Sequence, residues 1–151
     1  MIVPGRSGPY DAQRTARALG VWTGAALSTP AELHLIEPAW LGLAASPALR
    51  YRADVPHPEE SGRRAAMVAL VVDVIGAPIA AHRTFITRDS RKASIAGGAI
   101  RLHPVAAELM VGEGIKTSAS AGQLLGLPAW AAVAAGTWRA AWCCATWCAR
   151  W

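Results

Sequence analysis

Between Leu109 and Ala134 an apolar run, a helical stretch and a second apolar run follow one another, with glycine or proline at the joints. Leu109 to Gly112 reads as a buried strand and Lys116 to Leu125 as a helix. Gly126 stops that helix, Pro128 lies just beyond, and Ala129 to Ala134 reads as a second buried strand. Strand, helix and strand in such close succession suit a βαβ unit, which packs right-handed with its two strands parallel. The unit places Glu113 at the carboxyl end of its first strand, where an open α/β sheet has its crevice. A carboxylate there can hold a divalent metal or move a proton, although one carboxylate seldom builds a metal site. From Gly114 to Trp151 there is no further Asp or Glu. On this pattern alone Glu113 reads either as the start of an active site or as a surface carboxylate after a strand.

Upstream the signals are shorter. Asp11 to Leu19 reads as a helix with Asp11 as its cap and Gly20 as its stop. Thr29-Pro30-Ala31-Glu32 is a capping box that opens a second short helix, ending before Pro38. Leu41 to Gly62 carries Pro47, Pro56, Pro58 and Glu59-Glu60 and reads as an exposed connection. Met67 to Val74 and Ile79 to Thr87 are β-rich runs around Gly76-Ala77-Pro78, which is a hairpin signal. Arg88 to Lys92 reads as a charged turn, and Ala99 to His103 as a third short strand of the same antiparallel sheet. The expected class is α/β with an α+β N-terminal part. Short helices and a small antiparallel sheet precede the first βαβ of a parallel sheet. This divides the chain into a helical and loop segment over 1–62, a β region over 63–105, the βαβ over 106–136 and an atypical tail over 137–151.

The bulk properties allow this. A length of 151 residues suits one ordinary domain or one small domain with part of another, and 53% hydrophobic content suffices for a core. A balance of 15 Lys+Arg against 10 Asp+Glu favours a polyanionic partner. The stretch Met1 to Asp11 is no secretory signal, because Pro4, Gly5, Arg6 and Pro9 occupy the place of an apolar core. Thr117 to Trp138 is uncharged, but Gln123, Pro128 and three glycines divide it into helix and strand, which argues against a membrane span. All three cysteines fall within Cys143 to Cys148, so a reduced cytoplasm is the simpler setting. Those cysteines lack the paired spacing of a zinc site, and the four scattered histidines make no metal site.

These residues together resemble a known family. Thr29-Pro30-Ala31-Glu32, Leu49-Arg50-Tyr51, His82-Arg83-Thr84-Phe85, Lys92-Ala93, Gly97 to Leu102, Gly112-Glu113-Gly114-Ile115 and Leu127 to Ala132 occur in family order. The order is that of the Toprim-containing region of primase-like proteins from phages, plasmids and integrated mobile elements. The resemblance implies a small parallel α/β domain whose first strand ends in a glutamate and whose later strand carries an Asp-x-Asp that binds magnesium. It gives Glu113 the role of proton transfer in phosphodiester chemistry, beside a magnesium site that Glu113 alone leaves incomplete. DNA and nucleotides are the implied partners, together with a helicase partner or domain and no membrane.

Two departures accompany the resemblance. Lys116 stands where family members often have Glu after Gly-Ile, and the Asp-x-Asp is absent. From Trp138 to Trp151 the chain turns to Trp, Cys, Arg and Ala, which reads as out-of-frame translation after a frameshift near Gly136. The first reading is therefore a truncated primase-like replication protein that lacks activity on its own. The alternatives are a non-catalytic nucleic-acid-binding module and a small interaction protein. For nucleic-acid contact, the basic set Arg83, Arg88, Arg91, Lys92 and Arg101 faces a single acid, Asp89. Arg83, Arg101 and Lys92 are the expected binding residues, and the alternative for the set is a solvated sheet face and turn.

Overall fold

The computed structural model describes residues 9–27, 46–57, 61–73, 75–86 and 98–132. In chain order these form α1 (Pro9–Thr23), β1 (Ala26–Leu27), β2 (Leu49–Pro56), β3 (Arg63–Val72), β4 (Pro78–Phe85), β5 (Ile100–Arg101), β6 (Met110–Gly112), α2 (Ile115–Leu125) and β7 (Ala129–Ala131). The first sheet has the order β1-β2-β3-β4 and is antiparallel throughout. The second has the order β5-β7-β6, with β6 and β7 parallel and β5 antiparallel to β7. The described fold is α+β. Among the described residues no helix is long and apolar enough to cross a membrane.

Strand β3 organises the molecule because both of its faces are covered. Met67, Ala69 and Val71 join Leu49, Ile100, Leu102, Ile115, Ala119, Ala129 and Ala131 in one apolar cluster that takes residues from both sheets and α2. The intervening Ala66 and Val68 join Trp22, Ala25, Val55, Ala81 and Phe85 in a second cluster beneath α1. Burial on both sides explains why Met67 to Val72 is a continuous apolar run instead of an alternating one.

Strand β2 corrects the expectation that Leu41 to Gly62 is an exposed connection. Leu49 and Val55 are buried, yet their spacing of six puts them on one face of a regular strand. A β-bulge resolves this. Arg52 pairs with Ala66 and Val55 with Arg64, so β2 holds one more residue than β3 between these pairs. The extra residue moves Val55 to the α1 side, whereas Leu49 faces the other cluster. Arg50 and Arg52, which look like loop residues, hold the end of α1. Arg50 Nη1 donates to Trp22 O at 3.1 Å and its Cζ lies 4.2 Å from the Trp22 ring centroid. Arg52 Nη1 donates to Val21 O at 3.4 Å. No basic residue occupies the last turn of α1, so these strand residues supply the positive charge that a helix C-terminus favours.

Two further expectations change. Helix α1 starts before Asp11 and continues through Gly20 to Thr23, because Val21 and Trp22 are needed over β3 and β4. Ile100–Arg101 pairs with β7 in the second sheet, and the only tie to β3 from this stretch's pairing is the single bridge Val72↔Ala99. The hairpin turn itself is as read. Asp73 Oδ1 accepts from Ile75 N and Ala77 N at 3.0 and 2.8 Å, and Gly76 adopts φ 88. The capping box at Thr29 to Glu32, the turn at Arg88 to Lys92 and the tail over 137–151 lie outside the described residues.

Asp54, at the bulge, accepts from Arg52 Nε at 2.7 Å and from Arg63 Nη1 at 2.8 Å. The Arg52 hydrogen bond, helped by the charge of Arg52 and by the hydrogen bond and charge of Arg63, outweighs desolvation and holds the Asp54 carboxyl below its ordinary value. Folding thus favours the ionised form. That contribution is present above the unfolded carboxyl's pKa and disappears as pH falls through the lower folded value. Asp54→Asn is therefore expected to lower the melting temperature at neutral pH and to match the wild type in strong acid. Parallel melts across that range would expose an error as a constant gap.

Candidate functional site

The β6–α2–β7 unit has the expected parallel arrangement, with Met110, Val111 and Gly112 in register with Ala129, Trp130 and Ala131. Its joints follow from glycine. Gly114 caps α2 with extended backbone, and Gly126 ends it in the left-handed region at φ 67, a conformation that costs other residues more. Small residues let α2 approach the strands closely. A Cβ on Gly112 would lie 2.5 Å from Ser118 Oγ, and one on Gly122 would lie 2.9 Å from Ala129 Cβ.

Glu113 follows β6 directly and is exposed. It stands at the carboxyl end of a parallel strand and beside the free amides of α2, whose partial positive charge favours an anion. Lys116 is exposed in the first turn of α2 and adds a cation nearby. The backbone on both sides of Glu113 is tied down. Gly112 O accepts from Ala132 N at 2.8 Å, and Gly114 O accepts from Ser118 N at 2.9 Å. Among the described residues no three His, Cys, Asp or Glu side chains group to hold a metal ion. Glu113 with these neighbours does not fit magnesium unaided, since a divalent cation of this kind needs several hard oxygen ligands. What Glu113 can do is accept or deliver a proton at the carboxyl end of β6.

The arginines expected to bind nucleic acid do not gather around Glu113. Arg83 pairs with Val68 and so lies on the α1 side of β4, with Nη1 donating to Pro56 O at 3.2 Å. Arg101 pairs with Trp130, its Cζ 4.7 Å from that ring's centroid, and Nη2 donates to Asp73 O at 3.5 Å. Asp73 starts the turn into β4, and Arg83 stands five residues beyond Pro78, roughly 16 Å along the strand at 3.3 Å per residue. The two arginines are thus parts of different surfaces. Lys92 lies outside the described residues.

The three histidines among the described residues act in packing. His103 Nδ1 accepts from Ala129 N at 3.1 Å and its carbonyl accepts from Trp130 Nε1 at 2.8 Å, which anchors the start of β7. His57 packs against Phe85 with ring centroids 4.7 Å apart and planes tilted by 53°, and His82 is buried on β4. Sequence reasoning did not single out Ser118, which is fully buried beneath Gly112. Its signal was the succession of small residues Gly112, Ser118 and Gly122, which marks a close helix–strand contact.

No curated protein and no solved structure matches this sequence. One family, described as a domain of unknown function (DUF7146), matches residues 12–111, from within α1 to the second residue of β6. The match takes in the whole first sheet and stops two residues short of Glu113. The chain belongs to the DUF7146 family.

Proposed function

We propose that this chain is a Toprim-type primase-like replication protein of a mobile element, and that Glu113 moves the proton in nucleotidyl transfer on a DNA template. The observation that carries the reading is the placement of Glu113, exposed at the carboxyl end of β6 within a parallel β6–α2–β7 unit. Strand β5 already covers the other side of β7 in the antiparallel sense, so the Toprim form would require the sheet to continue in parallel past β6. Magnesium, when held by such a centre, neutralises phosphate charge. The reading requires further carboxylates for it from outside the described residues. Glu113 accepts the proton of the attacking hydroxyl as its oxygen bonds the nucleotide's α-phosphorus and pyrophosphate departs, and the amides and ammonium at the start of α2 suit a phosphate. DNA, nucleotides and a helicase are the partners this reading names.

The test combines this chain with a separately supplied Toprim fragment bearing Asp-x-Asp, on single-stranded DNA with nucleotides and magnesium. Primer synthesis is expected in the combination, and Glu113→Gln is expected to slow it by about 10²- to 10⁴-fold, the range for a general base. Synthesis indifferent to Glu113→Gln, or none in any combination, overturns the reading. One observation favours a second reading, a non-catalytic nucleic-acid-binding module: Arg83 lies partly exposed on the edge strand β4. DNA retention that weakens with salt, survives Glu113→Gln and falls in Arg83→Ala would select that module.

A further inference from the structure

Ser118 is fully buried one turn into α2. Its Oγ donates to Gly114 O at 2.8 Å, and the same carbonyl already accepts the Ser118 amide at 2.9 Å. On the other side of Glu113, Gly112 O accepts from Ala132 N at 2.8 Å. Ser118 also forms the floor of this turn, because a Cβ on Gly112 would meet Ser118 Oγ at 2.5 Å and its Cα and N at 3.2 Å.

The choice of serine here is informative. A buried hydroxyl aimed at a carbonyl that already has a donor adds little to folding, because its hydrogen bond mostly offsets its own desolvation. Alanine would occupy nearly the same volume, keep the amide bond to Gly114 O and bring no polar atom into the core. The hydroxyl alone adds a second tether to the Gly114 carbonyl. We infer that Ser118 is a positioning residue for Glu113, holding the Gly112–Gly114 turn at the end of β6 so that the carboxylate keeps one orientation. The inference rests on the reading of Glu113 as the proton-moving group, and it names the side chain that gives this group its fixed geometry.

Backbone ¹⁵N relaxation on the full chain, wild type against Ser118→Ala, tests the tether. The amides of Glu113 and Gly114 are expected to fall below the rigid order parameter of about 0.85 while those of the rest of α2 hold it. The urea midpoint and the order parameters of β2 and β3 are expected to stay unchanged. In the combined primer assay Ser118→Ala is expected to reduce kcat about tenfold with KM retained, as misplacement of a reacting group does. Unaltered order parameters at Glu113 and Gly114 would overturn the role of Ser118 and leave the reading of Glu113 standing. A large fall in the urea midpoint would overturn it too, by making the hydroxyl a stability element. Synthesis indifferent to Glu113→Gln would instead remove Glu113 itself as the group being positioned.

Discussion

Trp130→Ala is expected to destabilise the fold by about 3–5 kcal/mol, the range for emptying a buried aromatic site. Trp130 is fully buried in β7, the central strand of the second sheet, between Arg101 on β5 and Val111 on β6. Three losses coincide in this substitution. The ring leaves a cavity, the His103 carbonyl loses its 2.8 Å donor, and the Arg101 guanidinium loses the ring 4.7 Å away. Trp130→Phe separates them, since it keeps most of the apolar volume and removes the N–H; about 1–2 kcal/mol is expected for it. Urea titrations followed by far-UV circular dichroism give both values. If Trp130→Ala fell within about 0.5 kcal/mol of wild type, as surface changes do, the second sheet would not have the packing described.

The second large effect is expected at Gly112. In Gly112→Val the new Cβ would sit 2.5 Å from Ser118 Oγ and 3.2 Å from the Ser118 backbone, which cannot swing aside as a flexible side chain can. Helix α2 has to move away from β6, at a cost of about 3 kcal/mol, the upper part of the range for overpacking. Gly126→Ala is the control. Nothing lies within 4 Å of a Cβ there, so its cost arises only from the left-handed φ of 67 and is expected to be roughly 1–2 kcal/mol. Equal losses in the two variants would mean that α2 does not rest on Gly112. On the proposed role of Glu113, the next residue, Gly112→Val is also expected to abolish primer synthesis in the combined assay.

The βαβ unit was legible because its signals are local. Gly126 and Pro128 end a helix, the flanking runs are apolar, and Glu113 marks the junction. Strand β2 was hidden by two residues that behave unlike their types. Arg50 and Arg52 reach the carbonyls of α1 from within a strand, and an inserted residue breaks the alternation that would have revealed Leu49 and Val55 as buried. The partner of β5 was equally hidden. Ile100 and Arg101 bond to residues about thirty positions away, and a two-residue strand carries no periodicity from which to choose a neighbour. At the candidate site Glu113 could be found from its place after an apolar run. Ser118 could not, because a serine on a helix usually faces water and only the approach of Gly112 shows that this one does not.

Strand β3 leaves evolution little slack. On a sheet wetted on one side, every second side chain can drift at small cost. From Ala66 to Val71 each substitution on β3 is instead felt by one of two separate interiors, and only Leu70 of these keeps partial contact with solvent. The alanines at 66 and 69 keep the layers above and below thin, so even a modest gain in bulk there would wedge α1 or the second sheet outward.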